Sequence, residues 1–214
     1  MVHVVIPAQC FTRAKSRLAG IWSQERRAFC ARWMLTRSIQ ALQTQGWAEA
    51  ITVLSDDSEV LEFAGELGAK PAADRAEIQG HGAQLQAYAD ALDDDVALLV
   101  LMSDLPLMHP AAIAEFFEHC ADHDVVLAPD RHDLGTNAAY FAHRRHRHLH
   151  FGHRDSFLRH HKAVRDDARY HVMRAPAFQM DLDSPDDLQA VQRWAQVHAP
   201  EDEELARCFW GSHA

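Results

Sequence analysis

The 214-residue sequence lacks the signatures of several common protein classes. Its four cysteines show no CxxC spacing, which argues against structural zinc and favours reduced thiols in a cytoplasmic protein. No apolar run approaches the roughly 20 residues that cross a bilayer, so no membrane partner is expected. A net charge of −10 argues against a general nucleic-acid binder, because neutralising phosphates needs a basic face.

Glycine is also sparse, with nine residues, and none of them forms a glycine-rich phosphate loop. Neither the Walker pattern nor GxGxxG occurs after a predicted strand. The apolar segment 1–6 has no basic flank and no small-residue cleavage site, so it predicts a buried strand and not a signal peptide. A phosphate-binding loop here would therefore use cations together with backbone N–H groups.

Short apolar runs alternate with amphipathic helical stretches over the first 130 residues. This order predicts a parallel sheet covered by helices. Val96–Met102 is the most apolar run and therefore a central strand. We expect a single Rossmann-like three-layer α/β/α domain with a mostly parallel sheet over residues 1–198, followed by an irregular tail over 199–214.

Candidate site residues lie directly after the predicted strands, where open α/β sheets bind ligands. Arg13, Lys15 and Arg17 follow the first strand and could surround phosphates; the alternative is a solvated basic turn. Asp104 follows the central strand, where it could hold Mg²⁺ or cap a turn. A Gly-Thr-Asn turn at 135–137 offers polar groups to the acidic end of a small substrate.

Two further acids, Asp181 and Asp183, alternate along a segment predicted to be extended, so both carboxylates share one face. Helix capping explains the following Ser184, Asp186 and Asp187, but it does not explain these two acids. We expect Asp183 to converge with Asp104, with carboxylates within about 6 Å of each other if they share a metal.

Several segments together resemble the guanylyltransferases that form an activated phosphodiester during biosynthesis of the deazaflavin coenzyme F-420, a group within the nucleotide-diphospho-sugar transferase-like superfamily. The similarity runs from about residue 2 to residue 190. The matching segments are Ala14-Lys15-Ser16-Arg17-Leu18, Ser55-Asp56-Asp57, Ser103-Asp104-Leu105-Pro106-Leu107, Ala128-Pro129-Asp130-Arg131, Gly135-Thr136-Asn137-Ala138, Phe151-Gly152 with Ser156-Phe157 and His160, and Asp181-Leu182-Asp183-Ser184-Pro185-Asp186-Asp187-Leu188.

The resemblance implies transfer of GMP from GTP to a small phosphorylated acid, with release of pyrophosphate and with Mg²⁺ as cofactor. The acceptor would be 2-phospho-L-lactate, phosphoenolpyruvate or 3-phospho-D-glycerate. The implied catalytic residues are Lys15, Arg17 and Asp104. The implied nucleotide-binding residues are Pro7, Ala8, Arg13, Lys15, Arg17, Ser55, Gly80, Gly82 and Asp104. The implied acceptor-binding residues are Thr136, Asn137, Gly152 and Ser156. The implied metal ligands are Asp104, Asp183 and Asp181.

Three alternatives stay open at this point. Gln9 stands where family members carry lysine, and Gly80–Gln84 replaces a Leu-Asn pair, which leaves room for another nucleotide or acceptor, as in the molybdenum-cofactor nucleotidyltransferases. A binding module without catalysis is the second alternative. The third is a transition-metal site in the His/Arg-rich segment 143–161, although its arginines repel cations and favour a solvated basic face. The sequence leaves the oligomeric state undetermined, and a homodimer is one possibility.

Overall fold

The computed structural model describes residues 2–46, 51–166 and 169–211. Seven strands and eight α-helices alternate along this part of the chain. The strands are β1 (Val2–Pro7), β2 (Ile51–Ser55), β3 (Lys70–Ala73), β4 (Ala97–Leu101), β5 (Val125–Pro129), β6 (Thr136–Phe141) and β7 (Tyr170–Val172). The helices are α1 (Gln24–Gln43), α2 (Ser58–Glu66), α3 (His81–Asp90), α4 (Pro110–Asp122), α5 (Ser156–Val164), α6 (Pro176–Gln179), α7 (Pro185–His198) and α8 (Glu203–Trp210).

All seven strands belong to one sheet in the order β3-β2-β1-β4-β6-β5-β7. Four of the six strand pairings are parallel, which confirms the mostly parallel α/β sheet, and β4 is its middle strand. Strand β6 departs from the pattern, because it runs antiparallel to both β4 and β5. The short connection from β5 returns the chain directly, so β6 begins at the same sheet edge where β1 and β4 end.

Alternate residues of the strands face opposite layers of helices. Val4, Leu99 and Val126 belong to an apolar cluster that includes buried residues of α1, α2, α4 and α6. Their neighbours Val5, Leu98 and the rest of the opposite strand face belong to a second cluster, which includes residues of α3 and α5. Burial of both sheet faces is the reason the strands are continuous apolar runs, and it produces the predicted three layers.

The ends of α1 and α7 follow local sequence signals. The Ser23 side chain accepts a hydrogen bond from the Arg26 amide at the start of α1, and Gly46 beyond its end has a φ of 81°. Ser184 and Asp187 form a complete capping box at the start of α7, with a proline in the first turn. The positions of both helices were therefore predictable from a few residues.

The C-terminal segment differs from the expected irregular tail. Residues 203–210 form α8, and its buried face packs Leu205 and Phe209 into a third apolar cluster with α1 and α7. Acidic residues open this helix, where they suit the helix dipole. Tertiary packing of one apolar face, which local composition does not reveal, orders this segment.

Two of the cysteines also differ from expectation. Cys30 of α1 and Cys208 of α8 form a disulfide, with Cα atoms 5.8 Å apart, so the prediction of reduced thiols is wrong for this pair. Their separation of 178 residues hides the proximity that the fold creates. Cys10 and Cys120 are free thiols. None of the described helices is long and apolar enough to span a membrane.

Candidate active site

The candidate site lies at the carboxyl ends of β1 and β4. Asp104 follows β4, and its backbone oxygen accepts a hydrogen bond from the Leu182 amide at 3.1 Å. The Met102 amide donates a hydrogen bond to the backbone oxygen of Asn137 in β6 at 2.9 Å. These backbone contacts bring the segment before α7 and the start of β6 to the end of the middle strand, although the three segments are far apart in sequence.

Three carboxylates converge here. Asp104, Asp181 and Asp183 each offer an oxygen, and these atoms lie within 4.8 Å of one another. This geometry confirms that Asp104 and Asp183 meet, while their role as metal ligands stays a prediction. Asp104 Oδ1 is buried and has no hydrogen-bond partner among the described residues. A buried acceptor without a partner is costly, so this oxygen fits a cation that would bind it.

Lys15 is the cation that faces these carboxylates. Its ammonium donates hydrogen bonds to Asp104 Oδ2 at 2.8 Å and to Asp183 Oδ1 at 2.9 Å. Burial alone would lower the pKa of Lys15, but the negative charges of Asp104 and Asp183 outweigh it and hold the pKa above its ordinary value. The Lys15 backbone is left-handed, with φ of 54°. The preceding turn is fixed by Arg27 of α1, which donates to the Ala14 oxygen.

Asp181 and Asp183 have opposite electrostatic surroundings. Burial, together with the charges of Asp104 and Asp183, raises the pKa of Asp181 to about 7. The charge of Lys15 lowers the pKa of Asp183 below its ordinary value. Asn137 donates an amide hydrogen bond to Asp181 at 3.2 Å and thereby orients it. The cluster therefore carries an excess of negative charge that one lysine only partly offsets.

Asp187 positions Asp183 through the capping box of α7. Its Oδ2 atom accepts hydrogen bonds from the amides of Asp183 and Ser184, at 3.3 and 2.8 Å. Its Oδ1 atom accepts from two nitrogens of Arg131, at 3.0 and 2.8 Å. The sequence indicated Asp187 only as a helix cap, so its link to Arg131 is a new finding.

Two cavities are lined by the carboxylates, and a third shares Ala8, Gln9 and His81 with the first of them. The central cavity, of about 300 Å³, lies between the loop after β1 and Asp104, and Pro7, Ala8, Lys15 and Arg17 line it. The β3-side cavity has a volume of about 800 Å³, and its lining includes Ala8, Arg13, Ser55, Asp74, Gly80 and His81. The α5-side cavity measures about 720 Å³, and its lining includes Arg17, Arg131, Thr136, Asn137, Gly152, Arg154 and Ser156 with all three carboxylates.

Comparison with known proteins decides the family. The sequence pattern described as "Guanylyl transferase CofC like" matches residues 2–196 of this chain. The chain belongs to the CofC-like guanylyl transferases. The match extends from β1 to α7 and therefore includes every segment that lines the three cavities.

Relatives in the CofC-like family are similar along most of their length. The phosphoenolpyruvate guanylyltransferase of Sphaerobacter thermophilus is 30% identical over 200 residues, which cover 93% of this chain and 96% of the relative. The 2-phospho-L-lactate guanylyltransferase of Halomicrobium mukohataei is 34% identical, covering 89% and 85%. A putative nucleotide-diphospho-sugar transferase structure from Desulfovibrio desulfuricans has a TM-score of 0.67 at 16% identity, covering 98% and 99%, and supports the fold.

The polar residues expected on the acceptor side of this CofC-like chain are mostly buried and bonded to one another. The Thr136 amide donates to Ser156 Oγ at 2.9 Å, and the Thr136 hydroxyl bonds His160 Nδ1 at 2.9 Å. His160 Nε2 accepts from the His150 amide, which leaves the proton on Nδ1. Burial lowers the pKa of His160 to about 3. Thr136 and Ser156 line the α5-side cavity, His160 bonds to Thr136 without lining it, and Gly152 is exposed at its surface.

Gly82 has a different environment from the one its expected nucleotide role suggests. The linings of the three cavities do not include it. A Cβ atom at Gly82 would lie 1.9 Å from the Phe151 oxygen and 3.6 Å from the Gly152 amide nitrogen. Gly82 is therefore required for the close approach between the start of α3 and the loop before α5, because any side chain would collide with backbone there.

The β3-side cavity contains two residues whose contacts the sequence did not predict. Gln84 accepts a hydrogen bond from the Arg75 amide and donates to the Arg75 and Ile78 oxygens, so it fixes the loop between β3 and α3. Asp74 lines the β3-side cavity with a buried Oδ1 that has no partner in the described parts of the chain. Burial raises the pKa of Asp74.

The histidine-rich segment does not form a metal site within residues 2–46, 51–166 and 169–211, where only the three aspartates bring enough ligand atoms together. The prediction that this segment forms a solvated basic face is confirmed only in part. His146 and Arg147 are buried, and Arg147 donates two hydrogen bonds to the Asp93 oxygen. Arg144, Arg145 and His148 are exposed, as expected.

Proposed function

We propose that this protein transfers GMP from GTP to a small phosphorylated acid and releases pyrophosphate. The observation that carries the proposal is the convergence of Lys15 with three carboxylates between the central and α5-side cavities. In this reaction a phosphate oxygen of the acceptor attacks the α-phosphorus of GTP. The bond from that phosphorus to the bridging oxygen of the β-phosphate breaks, and no covalent enzyme intermediate is needed.

We propose Mg²⁺ as the cofactor, with Asp104 and Asp183 as ligands and Asp181 beside them. Hard carboxylate oxygens are the ligands that Mg²⁺ prefers, and the unpartnered Asp104 Oδ1 supports this assignment. When bound, the ion would neutralise negative charge on the phosphate oxygens and help orient them. Asn137 and Asp187 keep the two later aspartates in place through the hydrogen bonds described above.

The nucleotide fits the central and β3-side cavities best. Together they extend from the loop after β1 to the loop after β3, which is the edge where open α/β sheets bind nucleotides. We assign Lys15 and Arg17 to the triphosphate and the exposed Arg13 to its outer side. Pro7, Ala8, Ser55 and Gly80 form walls of these cavities. Gln9 lines both cavities and leaves the phosphate charges to the three cations.

The phosphorylated acid fits the α5-side cavity. An acceptor with a phosphate and a carboxylate needs cations, and Arg131 and Arg154 line this cavity, with Arg17 at its border with the central cavity. Thr136, Asn137 and Ser156 give its wall a fixed shape because their polar groups are bonded internally. Relatives carry the names phosphoenolpyruvate and 2-phospho-L-lactate guanylyltransferase, which supports these two acids as acceptors. The third candidate is 3-phospho-D-glycerate, which the sequence resemblance implied.

A matrix of nucleotides and acceptors tests the proposal. Pyrophosphate release is measured with GTP, ATP or CTP, each combined with the three phosphorylated acids, in the presence of Mg²⁺. We expect release that needs both GTP and one of the acids and that is lost in Asp104→Asn. Release that needs no acid, or that prefers another nucleotide, would refute the proposed specificity.

A further inference from the structure

Lys15 pairs with one oxygen of Asp104 and one of Asp183, the two acids that we assign to a shared metal ion. Its ammonium is 2.8 Å from one carboxylate and 2.9 Å from the other. A Mg²⁺ ion bound by the same oxygens would lie about 2.1 Å from each of them. Two cations this close repel strongly in a partly buried site. The ammonium and the metal therefore cannot both hold these two oxygens.

The Lys15 side chain also borders a space into which it can move. It lines the central cavity, which we assign to the triphosphate, so a small rotation of its side chain would exchange carboxylate partners for phosphate oxygens. Its left-handed backbone is a conformation that non-glycine residues rarely adopt. Arg13 in the same loop differs, because its partner is the exposed Asp56 and not the cluster.

We propose that Lys15 is an internal counter-ion that competes with the metal in the nucleotide-free protein and is released to the phosphates when the nucleotide binds. The inference rests on the proposed metal role of Asp104 and Asp183. Its consequence is a linkage, in which the nucleotide raises the affinity for metal because it removes the competing ammonium. Lys15 then serves two successive partners in one cycle.

The size of the effect follows from how often Lys15 is paired. If the ion pair is formed about nine-tenths of the time, the competent fraction is about one-tenth, and the apparent Kd for metal rises about tenfold. Removing the ammonium should therefore strengthen metal binding, although it deletes a residue that the reaction uses. A purely structural lysine would not have this effect.

The experiment is a titration of the nucleotide-free protein with Mn²⁺, followed by the electron paramagnetic resonance signal of the free ion. We expect Lys15→Met to bind Mn²⁺ about tenfold more tightly than the wild type, or about 1.4 kcal/mol. The matched control Arg13→Met removes the same charge from the same loop without touching the cluster, and it should stay within about twofold of the wild type. Equal or weaker binding by Lys15→Met overturns the inference.

A second readout uses the wild-type protein and does not depend on how the variant folds. In crystals soaked with Mn²⁺, Lys15 Nζ should lie more than about 4 Å from Asp104 Oδ2, beyond hydrogen-bond reach. Bound Mn²⁺ with Lys15 still paired to both carboxylates overturns the exchange. Absence of Mn²⁺ binding in every protein would instead refute the proposed metal role itself, and the inference with it.

Discussion

Replacing Gly82 by alanine tests the close contact between the two halves of the site. The added Cβ would lie 1.9 Å from the Phe151 oxygen and 2.8 Å from the Phe151 carbonyl carbon. Both atoms are backbone, so neither can rotate away as a flexible side chain could. The start of α3 or the loop at 151–152 must shift by more than 1 Å to bring the Cβ atom beyond the 3.0 Å that real Cβ contacts respect.

Overpacking of this kind costs about 1–3 kcal/mol of unfolding free energy. For a domain of this size, each 1 kcal/mol lowers the Tm by roughly 2–4 °C. We therefore expect Gly82→Ala to lower the Tm by about 4–8 °C for a cost near 2 kcal/mol, measured by calorimetry at fixed pH and protein concentration.

Gly65→Ala is the matched control. Gly65 lies in α2, and a Cβ there would meet nothing within 4 Å. Alanine at this position should raise stability by about 0.5–1 kcal/mol, because glycine is the poorer helix former. The two substitutions add the same methyl group and should shift the Tm in opposite directions. A Gly82→Ala protein as stable as the wild type would show that α3 and residue 151 are not in contact.

The remaining predictions concern catalysis and acid stability. Lys15→Ala should lower kcat/KM for GTP about ten- to a hundredfold while the acceptor KM hardly changes, since a charge-assisted contact contributes about 1.5–3 kcal/mol. An unchanged kcat/KM for GTP in steady-state kinetics would contradict this. Arg17→Lys should lose less activity than Arg17→Ala but should not match the wild type, because only the guanidinium is forked. Asp104→Asn should abolish Mg²⁺-dependent turnover yet retain a native circular dichroism spectrum. His160 stays neutral in the folded protein but protonates in the unfolded chain. Its contribution to the free energy of unfolding is therefore complete above pH 6.5 and is lost as pH falls towards about 3. Urea unfolding of His160→Gln should show a shallower loss of stability between pH 7 and 5 than the wild type.

Much of the fold was predictable because the apolar runs and helix caps of the sequence coincide with buried strands and helix starts in the structure. The apolar run at 96–102 corresponds to β4 (Ala97–Leu101), and Ser184 caps α7 as its neighbours indicated. Strand β3 was missed because Lys70–Ala73 is short, mostly exposed and carries a proline. Helix α8 was missed because its order comes from distant partners on α1 and α7, which no local pattern records.

The candidate site was predictable to a similar extent. Position at the carboxyl ends of strands was enough to indicate Asp104 and Lys15, and the spacing of Asp181 and Asp183 indicated two acids on one face. The sequence could not reveal that Lys15 pairs with those acids, because a lysine beside phosphate and a lysine beside carboxylate have the same sequence pattern. The contact of Gly82 with Phe151 depends on tertiary packing between α3 and the loop before α5, which no local sequence pattern reveals.

The fate of two isotopic labels tests the central claim most directly. The protein is incubated with Mg²⁺, the preferred phosphorylated acid, and GTP labelled with ³²P at either the α or the γ position. We predict that the α label enters a new product that contains the acid, whereas the γ label leaves as pyrophosphate. A γ label in the acid product, or GTP cleavage that ignores the acid, would contradict nucleotidyl transfer.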